Sequence, residues 1–166
     1  MGEQLTRSDV KRIQAEIEER KLRLRPRLIE ALQEARSHGD LSENFEYYAA
    51  KREKNQNESR IHYLERMLRF ARIIDDRSKA DEVGLNNTVT VRFEEDGEEE
   101  SYRIVTSIRG HSLKNLISNE SPLGRAVLGH KVGDRVEVRT ELGSYFVEIL
   151  RLEKTGESEQ DHIRSF

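Results

Sequence analysis

His38-Gly39-Asp40-Leu41-Ser42-Glu43-Asn44 separates two long helical patterns, and its reading decides the fold. Gly39-Asp40 is a turn signal, because glycine takes backbone angles that other residues resist. Asp40 and Glu43 stand three positions apart, so a helical turn sends both carboxylates in one direction. If the flanking segments fold back on each other, the acid pair stands at the end of a long rod. Acids placed there suggest chemistry performed at a distance, inside another molecule's cavity.

Outward on the N-terminal side, Thr6-Arg7-Ser8-Asp9 offers side-chain oxygens for a helix start. Val10, Ile13 and Ile17, then Leu24, Leu28, Leu32 and Ala35, form a narrow apolar seam on a heavily charged rod. Pro26 interrupts it. A proline inside a helix removes a hydrogen bond and costs about 3 kcal/mol, so a kink or a break into two helical segments is expected. On the other side Tyr47, Ala50, Lys54, Asn57, Ile61, Leu64, Leu68 and Ala71 again step by three or four, and Ile73-Ile74 closes the pattern before Asp75-Asp76. Lys54 and Asn57 occupy seam positions, which predicts looser packing toward the turn or a register-fixing polar contact. The short connection requires antiparallel neighbours.

Beyond residue 80 the period becomes alternating. Thr88 to Phe93 reads as a strand, Asp96-Gly97 as a hairpin turn, and Tyr102 to Val105 as the return. Glu94, Glu95, Asp96, Glu98, Glu99 and Glu100 surround that turn and read as a solvated loop, or as a docking site for a basic partner. Ser121-Pro122 opens a short helix that Gly129 ends. Arg135 to Thr140 and Tyr145 to Leu152 form a second hairpin. Four strands and one short helix make a small α+β domain. The expected organisation is a coiled-coil hairpin over 1–76 with its acidic tip at 38–44, a linker at 77–80, an α+β domain over 81–154, and a disordered polar tail over 155–166.

Composition agrees with this division. Apolar residues make up 34% and charged residues 37% of the chain, too little apolar matter for one compact core of this length. The absence of cysteine excludes disulfides, a zinc ribbon and thiol catalysis. No apolar run approaches a membrane span of about 18 residues, and the N-terminus lacks a secretory layout, so a cytoplasmic protein with no membrane partner is expected. The net charge of −3 names no partner; 16 basic and 15 acidic residues precede position 77, and 13 and 17 follow, so the acidity lies mainly in the second domain.

Ala35 to Lys51, with Asp40-Leu41-Ser42-Glu43-Asn44 at its centre, resembles the tip signature of the bacterial Gre transcript cleavage factors, of the GreA-like type. Asn115-Leu116-Ile117-Ser118-Asn119-Glu120-Ser121-Pro122-Leu123-Gly124-Arg125-Ala126 resembles the family's second-domain signature. The resemblance runs in family order from about Leu5 to Glu153. It implies an N-terminal antiparallel coiled-coil hairpin followed by an FKBP-like α+β domain. It also implies a transcription elongation factor that binds bacterial RNA polymerase as a monomer. The second domain would dock at the rim of the secondary channel, and the hairpin would reach toward the active centre. There it would stimulate the polymerase's own cleavage of backtracked RNA without being an enzyme itself.

On that resemblance Asp40 and Glu43 are the catalytic acids, completing a weakly held second Mg²⁺ site only within the polymerase complex. Two metals can activate water and stabilise both oxygens of a phosphodiester displacement. Magnesium wants an octahedron of oxygens, so two exposed carboxylates alone neither bind it usefully nor cleave RNA. Arg36 and Lys51 match a basic patch that meets the phosphates of the extruded RNA 3′ end, and Arg52 joins them by proximity. Tyr47 packs between the helices or, with Tyr48, stacks on a base. Read without the resemblance, Asp40 and Glu43 are a turn acid and a first-turn acid that favours the helix dipole, and the basic residues are a solvated face. Ser121 and Pro122 read as helix caps, and Arg125 completes the signature match. Phe45 is bulkier than the alanine expected after the tip asparagine, and the tail after Lys154 is longer than usual. The alternative function is a secondary-channel regulator that binds without stimulating cleavage; such homologues usually carry altered tips, whereas Asp40-x-x-Glu43 is intact here. A coiled-coil adaptor with no polymerase link is the third reading.

Overall fold

The computed structural model describes residues 2–39, 44–109, 115–157 and 163–164. The chain has the expected α+β composition: an N-terminal helical hairpin and a C-terminal sheet domain. It divides into two compact units, one mainly Arg7–Arg72, the other mainly Ile73–Arg164 together with Gln4–Thr6.

In the first unit, α1 (Arg7–Glu19) leads into a π-helical turn (Arg20–Leu24), then α2 (Arg25–Arg36); α3 (Phe45–Phe70) returns. The π turn is the answer to Pro26. Proline cannot donate to a preceding carbonyl, so the chain widens first: the Arg25 N–H donates five residues back, to the Arg20 carbonyl, and Pro26 then falls in the first turn of α2, where no donor is needed. The helical path therefore continues as two α segments. Ile13, Leu28 and Ala35 are buried on one side of the seam, and Tyr47, Ile61, Leu64 and Met67 on the other.

Polar groups set the antiparallel register. Asn57, only 3% exposed, accepts from the Arg20 guanidinium at 3.0 Å through Oδ1 and donates to the Arg20 carbonyl at 3.3 Å through Nδ2. Glu16 Oε2 accepts from Arg20 Nε and Arg60 Nε, each at 2.8 Å. Arg25 grips Glu58 with two hydrogen bonds, at 2.7 and 2.8 Å. The helix stops at Phe70, short of Ile73-Ile74, because the β-branched pair takes extended backbone: Gln4–Leu5 (β1) and Arg72–Ile73 (β2) are two-residue strands. Arg72 N–H donates to the Glu3 carbonyl at 2.9 Å, and Ile74 N–H to the Leu5 carbonyl at 2.8 Å.

The second unit holds β3 (Thr88–Phe93), β4 (Glu99–Val105), β5 (Leu116–Ser118), α4 (Pro122–Val127), β6 (Arg135–Thr140) and β7 (Gly143–Glu153). Sheet order is β5-β4-β3-β7-β6, antiparallel except for the β4–β5 pair. This corrects the expected four strands to five: β5 has three residues and no alternation, so no periodic signal marks it. The β3–β7 ladder shifts register at Thr90/Val91, a bulge that bends the long β7. Inward residues of the strands pack with Val83, Leu123 and Val127 into one apolar cluster.

Residues assigned to the tail are described only at 155–157 and 163–164. The Thr155 hydroxyl donates to the Asn86 carbonyl at 2.6 Å, Glu157 lies 3.5 Å from the Arg109 guanidinium, and the Arg164 N–H donates to the Ile108 carbonyl at 2.7 Å. Among the described residues, no helix is long and apolar enough to cross a membrane.

Candidate functional site at the hairpin turn

Asp40 and Glu43 lie outside the described residues, and so do Leu41 and Ser42. What the structure describes is the residues on either side of that segment. Asn44 is the N-cap of α3. Its Oδ1 accepts the Tyr47 N–H at 3.0 Å, satisfying one of the donors a helix start leaves open, while its Nδ2 donates to the Ala35 carbonyl of α2 at 2.6 Å. One side chain thus caps the second helix and ties it to the end of the first. His38 Nδ1, in turn, is 2.9 Å from Glu46 Oε2. The hydrogen bond to Glu46 holds the His38 pKa above its ordinary value, with burial opposing and the negative charges of Glu46 and Glu34 assisting. Ser37 Oγ donates to the Glu34 carbonyl at 2.6 Å, and Gly39 has φ 148°, where side-chain-bearing residues rarely go.

The basic residues singled out by sequence are all exposed, but they do not form one group. The Arg36 guanidinium lies 5.5 Å from the ring centroid of Tyr47, which is 9% exposed in the seam. The Tyr47 hydroxyl pKa is lowered, first by its hydrogen bond with Arg36, against burial, and then by the charges of Lys51 and Arg36. Arg36 and Lys51 thus both lie close enough to Tyr47 for their charges to act on it. Arg52 belongs to a shallow groove on the outer face of α3, lined by Tyr48, Lys51, Arg52, Asn55, Gln56 and Ser59. Tyr47, tied into the seam, is not available to a base; Tyr48 meets it edge-on with centroids 5.4 Å apart and is itself 46% exposed.

In the sheet domain the second motif is helix-capping machinery. Ser121 Oγ accepts the Gly124 N–H at 3.1 Å and donates to the Ser118 carbonyl at 2.6 Å. Arg125 Nη2 donates to the Glu120 carbonyl at 3.1 Å. Glu120, Pro122, Arg125 and Ala126 line a groove with Glu137, Arg139, Thr140 and Glu141 of β6 and the turn after it. Sequence reasoning missed the double role of Asn44; the signal was there, an Asn immediately before a helical pattern.

Among the described residues no group of three or more His, Asp or Glu side chains gathers to hold a metal.

Two family models match the chain in succession. One, for the N-terminal part of transcription elongation factors GreA and GreB, covers residues 3–73; the other, for the C-terminal part, covers residues 78–154. The transcription elongation factor GreA of Streptococcus gordonii is 45% identical over 152 residues, covering 91% of this chain and 95% of that one. GreA of Streptococcus thermophilus is 44% identical with the same coverage. Among solved structures, GreA factor homolog 1 (Gfh1) of Thermus thermophilus is 29% identical with a TM-score of 0.43, covering 92% of this chain and 99% of that one.

Proposed function

The chain belongs to the GreA/GreB family of transcription elongation factors, and on that premise we propose that it enters the secondary channel of RNA polymerase and stimulates the polymerase's own cleavage of backtracked RNA. The observation that supports this reading is that the described residues on either side of Asp40-x-x-Glu43 are tied together, by the Asn44–Ala35 hydrogen bond and the His38–Glu46 contact.

Asp40 and Glu43 are the residues that would hold a Mg²⁺ jointly with polymerase. The donor set fits a shared site and not a private one: two carboxylates fill only part of an octahedral oxygen shell. When bound, such an ion neutralises charge on a phosphodiester and lowers the pKa of a water. This chain's own part is to bring two acceptors to that place and to orient the water by hydrogen bonding. Arg36, over the Tyr47 ring, and Lys51 and Arg52 in the outer groove of α3 neutralise phosphates of the extruded 3′ end without reading its sequence. The protein is then a cytoplasmic accessory factor, with no cleavage activity alone.

The test is a stalled, backtracked elongation complex carrying 3′-labelled RNA, given Mg²⁺ and either the wild type or the Asp40→Ala/Glu43→Ala variant. Short labelled fragments with the wild type only are the expected result. If both proteins bind polymerase and neither releases fragments, the chain is a channel regulator and the cleavage reading is wrong.

A further inference from the structure

The first residue of α3 is Phe45, and its side chain is left out of the core. It is 86% exposed, directly beside the Asn44 cap. Tyr48 follows one helical turn later, on the same side of the helix, 46% exposed. Another turn on come Lys51 and Arg52, then Asn55, Gln56 and Ser59, all exposed and lining one groove with Tyr48. No acid lies among them: Glu46 and Glu53 fall on other faces at helical spacing, and Glu58 is turned into its bond with Arg25. An exposed face that runs from two aromatic rings to two cations and then to amides and a hydroxyl has one natural ligand chemistry. Every nucleobase has a face that stacks on an aromatic ring, and its strand carries phosphates for the cations.

We propose that Phe45 and Tyr48 form a stacking platform for unpaired nucleobases of single-stranded RNA, with Lys51 and Arg52 on the adjoining phosphates. This rests on the reading that the turn meets the extruded RNA 3′ end. Phe45 and Tyr48 are positioning residues: they hold a base while the acids beside them act. Stacking is stronger for a larger ring system, so the platform makes the factor prefer a purine over a pyrimidine at the extruded position.

Two readouts on the full chain test this. In backtracked complexes, Phe45→Ala/Tyr48→Ala is expected to raise the factor concentration for half-maximal cleavage about tenfold or more, and to erase the difference between extruded purine and pyrimidine. On the Tyr48→Ala background, Phe45→Trp recovers much of both, whereas Phe45→Leu, similar in bulk to phenylalanine but not aromatic, recovers neither. Wild-type behaviour of the double variant, or full rescue by leucine, overturns the platform. The second readout needs no cleavage: RNA with 4-thiouridine at its 3′ end is irradiated in the complex with the wild type or Asp40→Ala/Glu43→Ala. Crosslinks are expected at positions 45–48 in both. Crosslinks without cleavage by the wild type would overturn the cleavage reading and leave the platform standing; cleavage with no crosslink at 45–48 would overturn the platform alone.

Discussion

Asn44 carries two hydrogen bonds that substitutions can separate. Aspartate keeps the acceptor that caps Tyr47 but has no amide to give the Ala35 carbonyl, while alanine loses both. Loss of an N-cap alone costs about 1 kcal/mol, and a further bond between helices adds about 0.5–1.5 kcal/mol. Denaturant unfolding should rank wild type above Asn44→Asp above Asn44→Ala; equal stability of all three would mean the clamp carries no load. His38 makes a sharper test because its sign is fixed. Its folded pKa lies above the ordinary histidine value, held by Glu46. Protonated His38 thus favours the clamped form fully below pH 6.5, and that contribution fades as pH rises through the higher folded value. An NMR titration should place the His38 midpoint above 6.5 and lower it in Glu46→Gln, leaving only the smaller pull of Glu34 against burial; an unshifted wild-type midpoint would remove the pair. In the sheet domain Gly124 is fixed by space. A Cβ there would stand 2.1 Å from the Ser118 carbonyl oxygen. Gly124→Ala is therefore expected to cost about 1–3 kcal/mol through displaced backbone, although alanine is the better helix former.

The helices of the first unit are joined as much by polar geometry as by apolar packing, and acid should reveal it. Burial acts to raise the Glu16 pKa, yet hydrogen bonds and charges from Arg60 and Arg20 outweigh it and leave the group below its ordinary 4.5. Glu58 is lowered by its hydrogen bonds with Arg25, against slight desolvation. Both contributions are complete above pH 4.5 and are lost as pH falls through the lower folded values. Helical signal at 222 nm should therefore decline below pH 4.5, and Glu16→Gln with Glu58→Gln should flatten that decline; an unchanged acid profile would show that these pairs are not its cause. How much of this could be read in advance depends on the element. The two rods, the Asp96-Gly97 turn and the Ser121-Pro122 helix start were legible because each is written in local spacing: Gly97 has φ 73° and Ser121 is the N-cap of α4. Asn57 in the seam was legible as an anomaly, and it became a register contact once Arg20 was seen opposite. The π turn was not, because Pro26 states that a bond is missing but not how the preceding five residues absorb the loss. Strand β5 was not, because each of its residues pairs with one thirteen positions earlier, and three residues carry no period. At the site, the acids and cations were legible by type; the separation of Arg36, which lies over Tyr47, from Arg52 in the outer groove, with Lys51 near both, and the exposure of Phe45, depend on which way α3 turns about the seam.

The two units draw stability from different sources, and the whole chain should unfold accordingly. The sheet domain has ten buried apolar side chains in one cluster, including Val89, Val91, Ile104, Val138 and Ile149. Fully burying each such side chain is worth about 1.5–3 kcal/mol before the entropy of ordering is set against it. The hairpin has only seven buried apolar residues among its described positions, spread along the seam from Ile13 to Met67. It relies also on ion pairs that remain partly open to solvent, such as Arg25–Glu58 at 33% and 28% side-chain exposure. Contacts of that kind are screened by salt, whereas apolar burial is not. Heating the intact chain should therefore give two transitions, with the 222 nm helical signal falling first and the NMR methyl signals of Val89, Val91 and Val138 persisting to higher temperature. Raising the salt from low to about 1 M, where the screening length falls to about 3 Å, should lower the first midpoint by a few degrees and leave the second almost fixed. Coincident loss of both signals at every salt concentration would mean that the units unfold as one, and that the thin seam of the hairpin is stabilised by more than its own contacts.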